Sequence, residues 1–318
     1  MLFNSTKLLF EVPLAGLLAL FTAVGATAAA CPEIDQEALR WLDQMSRNMR
    51  QINYQGVVTL QRDGDLQVME VSHAVGDGNS AERLTELTGQ GAQVALDAHP
   101  LNCVHPGDRL LRLGTLAQEG QCGISTRYRF SVAEGERVAG RNAVRINIEP
   151  RDMYRFGYAM NLDRETGLLL RSRTISNGQQ ILETMQFANV SYTNDMPARS
   201  DVQVVHEAQH PHPESPSTYG AVARAWGVRW VPRGFEPTDF PLGISGRRTY
   251  TDGLAVFSVF LEDLDVEMRS GEGLVRRGST TVYTRGMLLV GHPVLVTVIG
   301  EVPVNTARMV ADSVSWVQ

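Results

Sequence analysis

RVAGRNAVRINIEPRDMYRFGYAMNLDRETGLLLRS, residues Arg137 to Ser172, decides the fold class. Ala143 to Glu149 alternates, with Val144, Ile146 and Ile148 on one face and Arg145, Asn147 and Glu149 on the other. Phe156 to Asp163 alternates again, Phe156, Tyr158, Met160 and Leu162 against Gly157, Ala159, Asn161 and Asp163. Side chains of a strand point to opposite faces in turn, so this period predicts half-buried antiparallel strands. Asp163 to Gly167 predicts a hairpin loop, with Gly167 free to take positive φ, and Leu168 to Ser176 returns as the partner strand. No nucleophile with a base and no metal-ligand set stands in the stretch. A sheet with an apolar face suggests binding rather than catalysis.

The flanks of this stretch extend the sheet. Tyr54-Gln55-Gly56 opens strands at Val57 to Gln61 and Leu66 to Val75, joined by Arg62-Asp63-Gly64-Asp65, a hairpin turn because Asp-Gly tolerates positive φ. Glu82 to Leu87, Gln93 to Ala98 and Tyr128 to Val132 are further strands. Gln180 to Tyr192 is one long strand, with Ile181, Met185 and Phe187 on one face and Leu182, Ala188 and Val190 on the other. Many hairpin-connected strands imply a large, curved antiparallel sheet, hence an α+β fold. Ile34 to Ile52 is an amphipathic helix, apolar at Ala38, Leu39, Leu42, Met45 and Met49, with Asp35 suited to its start. Its mixed charges favour packing on the sheet.

The chain has 318 residues, a net charge of -6 and a pI of about 5.7, which excludes the electrostatic footprint of a nucleic-acid binder. Lys7 precedes an apolar run from Val12 to Val24 and small residues at Ala26 to Ala30, so residues 1–30 are expected to be an export signal. In an oxidising compartment Cys103 and Cys122 are expected to pair, the free thiols being the alternative. Closing that loop would contribute ~3 kcal/mol in the chain-entropy model. Cys31 is left over. Either it is a lipidated amino terminus, or the signal is cut near Ala28 or Ala30 without lipid.

Residues 31–194 are expected to form the large domain, 195–225 a linker and 226–318 a smaller, mainly β domain with a terminal helix. The linker carries His206, His210 and His212 among prolines; a metal or pH site is one reading, but no Cys or carboxylate cluster completes a coordination shell, so a solvated interdomain segment is expected. Arg247 to Tyr250 and Leu254 to Leu261 form a hairpin about Thr251-Asp252-Gly253. Glu262 to Gly278 is charged and glycine-punctuated, as in a loop, and Ser279 to Arg285 and Pro293 to Ile299 are strands. Thr306 to Val314 is a helix with Asn305 as its cap.

No enzyme is expected. Ser131, Ser172 and Ser258 lie in strand patterns without a nucleophile elbow, and no glycine-rich phosphate loop or helical His pair occurs. No cofactor or metal is implied. The positive feature is apolar surplus on strands, more than one helix can cover. Phe156, Tyr158, Met160, Leu162, Met185 and Phe187 are candidates for an acyl-chain wall, with core packing as the alternative. Each buried methylene contributes ~0.8 kcal/mol, and Met adapts to variable chains.

Several motifs carry a resemblance in chain order: Tyr54-Gln55-Gly56, Arg137 to Arg141, Pro150 to Tyr158, Leu162 to Leu168, Trp230 to Phe235, Tyr250 to Phe260 and Gly300 to Pro303. With the export signal, they resemble the MucB/RseB family of periplasmic sigma-E regulators. The resemblance implies a half-open curved sheet like those of the carriers LolA and LolB, with helices inside it, and a smaller domain on a linker. It implies a periplasmic protein that binds the periplasmic part of a membrane-spanning anti-sigma factor. It further implies that binding shields that factor from site-1 proteolysis, and that lipid or lipopolysaccharide-type ligands release it. The lipid site is then expected in the large domain and the partner surface on the small one, where Arg247, Arg248, Tyr250, Phe257 and Phe260 are candidates. Phe257 and Phe260 also suit a core. A homo-oligomer stays open. A lipid or lipoprotein carrier without a signalling partner is the alternative reading; a carrier needs only the large domain.

Overall fold

The computed structural model describes residues 35–76, 79–88, 93–100 (backbone), 123–192, 225–238, 246–264 and 271–317. Cys31, Cys103, Cys122, His206, His210 and His212 lie outside the described residues, as do the expected export signal and nearly all of the expected linker.

Helix α1, Gln36–Gln51, opens the described chain. The Asp35 carboxylate caps it, accepting the Glu37 and Ala38 N–H groups at 3.0 Å each, two of the donors that a helix start leaves without intrahelical partners. Strands β1 (Tyr54–Arg62), β2 (Asp65–Gly76), β3 (Asn79–Glu86), β4 (Gln93–Pro100), β5 (Tyr128–Glu134), β6 (Ala143–Pro150), β7 (Gly157–Asp163), β8 (Leu169–Ile175) and β9 (Ile181–Tyr192) form one nine-stranded sheet. Its order is β4-β3-β2-β1-β9-β8-β7-β6-β5, with every pairing antiparallel. Two meanders therefore meet where β9 returns beside β1. The turn at Asp63 (φ 49°) and Gly64 (φ 86°) has positive φ at both central positions, as the Asp-Gly pair predicts. Gly167 takes φ 71°.

Register makes one apolar face continuous across the sheet. Met160 lies opposite Ser172, Ser172 opposite Met185, and Met185 opposite Leu60; Phe187 faces Val58, which faces Met69. Over the β5–β7 part of this face α1 lays Ala38, Leu39, Leu42 and Met45 onto Ile146, Ile148, Tyr158, Met160 and Leu162. Burying each such side chain is worth about 1.5–3 kcal/mol, which holds the helix to the sheet. A second cluster continues the face with Tyr54, Val58, Val71, Leu168, Leu170 and Phe187.

The later part of the chain pairs β10 (Trp226–Val228) with β17 (Val314–Trp316) and builds a six-stranded sheet. Its strands are β11 (Glu236–Pro237), β12 (Arg247–Thr251), β13 (Val256–Asp263), β14 (Glu272–Arg277), β15 (Thr280–Leu289) and β16 (His292–Gly300), in the order β11-β12-β13-β16-β15-β14. Helix α2, Val304–Asp312, sets Ala307, Val310 and Ala311 in the core with Phe257, Tyr283, Val294, Val296 and Val298. Both sheets belong to one compact unit, Cys31–Gln318.

Four expectations are corrected. Strand β7 is buried along its whole length rather than half-buried, because Asn161 and Asp163 on its polar face are also covered. A register shift between Val57 and Val58 inserts Ala188 as an extra residue of β9, so Val190 joins the Phe187 side instead of opposing it, followed by Tyr192. The Glu262 to Gly278 stretch contains the end of β13 and all of β14, not only a loop. The last helix starts before Asn305, after Pro303, without a side-chain cap bond, and ends at Asp312 because Val314–Trp316 is a strand.

Candidate functional site

The chemistry of the molecule gathers where the two sheets meet. The loop after β6 carries Arg155, whose side chain is fully buried. Its Nε donates to Asp152 Oδ1 at 3.1 Å, one terminal nitrogen to Asp252 Oδ2 at 2.7 Å, and the other to the Arg233 carbonyl at 2.8 Å. Its guanidinium also lies over the rings of Phe235 (5.1 Å) and Tyr128 (5.5 Å), a cation–π arrangement. Asp252 is equally buried and fully engaged: Oδ2 also accepts the Tyr128 hydroxyl at 2.8 Å, and Oδ1 accepts the Leu254 and Ala255 N–H groups. Burial, and then the Asp252 charge, push the Tyr128 phenol well above its usual range, so it stays a donor. Removing one partner of such a pair strands a buried charge, whereas the intact pair adds little net stability. Beside it Tyr154 meets Trp230 edge-on at 5.3 Å, and the Thr306 hydroxyl donates to the Tyr154 carbonyl at 2.9 Å.

A second junction lies at the β1–β2 and β14–β15 turns. The Gly278 N–H donates to Asp63 Oδ2 at 2.5 Å, the Ser279 hydroxyl to Glu183 at 3.3 Å, and Arg277 reaches Asp65 at 3.3 Å. A groove of about 560 Å³ opens alongside, lined by Thr59, Arg62, Arg173, Gln186 and Arg276 among others. Glu301 also belongs to the seam. Burial, and then the nearby Glu183 charge, push its carboxyl up from the usual value. The Tyr158 hydroxyl is buried without a hydrogen-bond partner; burial first, and then the Glu301 charge, push it well up.

The expected wall residues divide. Tyr158, Met160 and Leu162 are core beneath α1, and Phe156 is buried too. Met185 and Phe187 belong to the second cluster, Met185 only partly buried, with Met69 and Leu84 as partly buried neighbours. The expected partner residues divide by face. Arg248 is buried, donating to the Trp226 carbonyl (2.5 and 3.1 Å) and lying 5.0 Å over its ring. Tyr250 stacks on Phe257 at 5.3 Å within the core. Arg247 and Phe260 are cross-strand neighbours, both half-buried, on the opposite face. Sequence reading missed Arg155, Tyr128 and Asp252 as a set. The one signal was an Asp at a hairpin turn and an Arg inside an apolar stretch, and neither names its partner. Among the described residues, no group of three or more His, Cys, Asp or Glu is placed to hold a metal ion.

Comparison with known proteins matches this architecture. A family model described as the MucB/RseB N-terminal domain matches residues 37–205, and one described as the MucB/RseB C-terminal domain matches residues 221–315. The sigma factor AlgU regulatory protein MucB of Pseudomonas aeruginosa is 34% identical over 310 residues, 94% of this chain and 95% of the relative. The sigma-E factor regulatory protein RseB of Salmonella typhimurium is 26% identical over 294 residues, 86% of this chain and 89% of the relative. A crystal structure of MucB in complex with MucA(peri) superposes with a TM-score of 0.67 at 33% identity, covering 87% of this chain and 98% of that one. MucB alone gives 0.60 at 31% identity, covering 88% and 98%. With both of its sheets accounted for, the chain belongs to the MucB/RseB family.

Proposed function

We propose that the protein is a periplasmic regulator that binds the periplasmic segment of a membrane-spanning anti-sigma factor and so restrains a sigma-E-type transcription response. Bound protein shields the segment from site-1 proteolysis, and an acyl-chain ligand in the large sheet relieves the shield. The observation that carries the reading is the likeness, over nearly the whole of that chain, to MucB held in complex with MucA(peri). A carrier of lipid alone has no need of the second sheet or of a buried seam joining it to the first.

In this reading Met185, Phe187, Met69 and Leu84 form the part of the ligand wall beyond α1. Phe156, Tyr158, Met160 and Leu162 form its inner end, reached only when α1 shifts. Arg247 and Phe260 face the partner, while Arg248, Tyr250 and Phe257 support them from the core side. The test is proteolysis of the purified periplasmic segment by the site-1 protease, with and without the mature protein. Cleavage is expected to slow when the protein is present and to recover when lipopolysaccharide is added. Equal cleavage in all three reactions would sink the proposal.

A further inference from the structure

The edges of the two sheets are treated differently. At β5 the Val132 N–H is taken by the Asp35 carboxylate at 3.2 Å, so the start of α1 covers that edge. Strand β11 has two residues, one of them Pro237. Strand β4 is broken in register opposite Ser80–Glu82 and ends on Pro100. Short strands, prolines, irregular register and covering helices are the ordinary ways of making an edge unreceptive. Strand β14 has none of these four, and only the charges of Glu272, Arg276 and Arg277 guard it. Among the described residues it pairs only with β15, and Leu274 (51%), Val275 (63%), Arg276 and Arg277 stand exposed.

Its register shows which backbone groups are free. The Gly286 N–H donates to the Gly271 carbonyl at 2.9 Å, and Glu272 lies opposite Arg285. Hydrogen-bonded pairs alternate in an antiparallel ladder, so Gly273, Val275 and Arg277 exchange bonds with β15. The N–H and C=O groups of Glu272, Leu274 and Arg276 therefore point away from the sheet, with no strand partner among the described residues. The edge runs to the groove at the second junction, where Arg276 stands with Arg62 and Arg173. The groove's carboxylates are already engaged, Asp63 by the Gly278 N–H and Glu183 by the Ser279 hydroxyl. The Arg62 Nε is buried without a partner. The bonds to Asp63 and Glu183 come from neutral donors, so three arginines line the groove against two carboxylates, an excess of one positive charge on a chain of net charge -6.

We propose that β14 is a strand-addition surface. An extended, acidic segment of the bound partner polypeptide pairs with the outward groups of Glu272, Leu274 and Arg276, lays an apolar side chain beside Leu274, and directs carboxylates to Arg276 and the groove. Main-chain bonds supply affinity in this mode, and alternate side chains supply specificity. The inference rests on the partner-binding reading above and assigns that reading a docking strand.

The experiment is amide hydrogen exchange on the mature protein, alone and with the periplasmic segment of its anti-sigma factor. Affinities are measured in parallel for the parent, Leu274→Pro and Arg276→Glu. Leu274→Pro removes an outward N–H and leaves the β15 ladder whole, a position where an edge strand tolerates proline. In the complex, exchange at Leu274 and Arg276 is expected to slow by about tenfold or more, while Val275 changes little. Each variant is expected to bind about tenfold more weakly, with melting of the free Arg276→Glu chain unchanged. A tight complex with unaltered exchange at both amides, or parent affinity in Arg276→Glu, removes strand addition and leaves partner binding standing. No complex with the parent removes both. Protection of the same amides that grows with protein concentration, without the segment, assigns the edge to a second copy of this chain and overturns the proposal.

Discussion

Arg155 and Asp252 lie 97 positions apart in the chain and meet as a 2.7 Å ion pair between two side chains with no solvent exposure. The pair ties the loop after β6 to the β12–β13 turn, and through them the large sheet to the small one. Asp252→Ala leaves the guanidinium buried without its counter-ion and is expected to cost about 3–5 kcal/mol in urea unfolding. Arg155→Met combined with Asp252→Leu is expected to cost far less than the sum of the single changes. A single-variant loss below about 1 kcal/mol would show that the seam is not held by this pair.

The two halves of the apolar face should answer differently to a charge. Met160 is core under α1, so Met160→Asp is expected to lower stability by about 3 kcal/mol or more in denaturant melts. Met185 is only partly buried beyond the helix, so Met185→Asp is expected to fold and to lose acyl-ligand uptake in native mass spectrometry. Undiminished uptake by a folded Met185→Asp protein would place the ligand elsewhere.

Gly278 sits at φ 58°, and a Cβ there would lie 2.7 Å from a Glu183 carboxylate oxygen and 3.0 Å from Arg62 Cβ. Gly278→Ala combines left-handed backbone strain with displacement of Glu183, for an expected loss of about 1–2 kcal/mol by thermal and urea unfolding. Gly271→Ala, where nothing lies within 4 Å of the added Cβ, is the matched control and is expected to be near neutral.

Glu301 sets a pH dependence with a definite sign. Burial, and then Glu183, raise its carboxyl above the usual 4.5, so the folded protein holds a proton that the unfolded chain has already released. Its contribution is therefore complete below pH 4.5 and declines as pH rises through the raised value. Asp163 runs the opposite way. Burial raises it, but hydrogen bonds from Arg141 and Tyr192 outweigh burial and hold it below the usual 3.8, so its contribution is lost at lower pH. Glu301→Gln is expected to melt higher than the parent at neutral pH, with the gain shrinking as the solution is acidified. An equal gain at every pH would assign the effect to something other than this ionisation.

The sheet was legible because alternation is a local signal. Val144, Ile146 and Ile148 announced their face, and Asp63-Gly64 and Gly167 announced their turns, without reference to the rest of the chain. The covering of that face was not local. Which end of the sheet α1 occupies depends on Leu42 meeting Ile146 and Tyr158 more than a hundred positions away, so a wall and a core look alike in sequence. Arg248 and Phe260 both stand on the β12–β13 hairpin, yet a buried arginine lying over Trp226 and a half-exposed phenylalanine reverse what composition alone suggests. Strand β14 escaped for a different reason. Glycine and charge at Glu272-Gly273 and Arg276-Arg277 read as loop chemistry, and only pairing with β15 makes the segment extended.

Engagement of an anti-sigma periplasmic segment through the joined sheets is the proposal on which the others depend. The direct measurement is the affinity of the mature protein for that segment by isothermal titration. A saturable complex is expected, with a dissociation constant at or below the micromolar range, weakened by at least tenfold in Asp252→Ala at a temperature where that variant is still folded. No heat of binding at micromolar concentrations, together with unaltered cleavage of the segment by the site-1 protease, would contradict it.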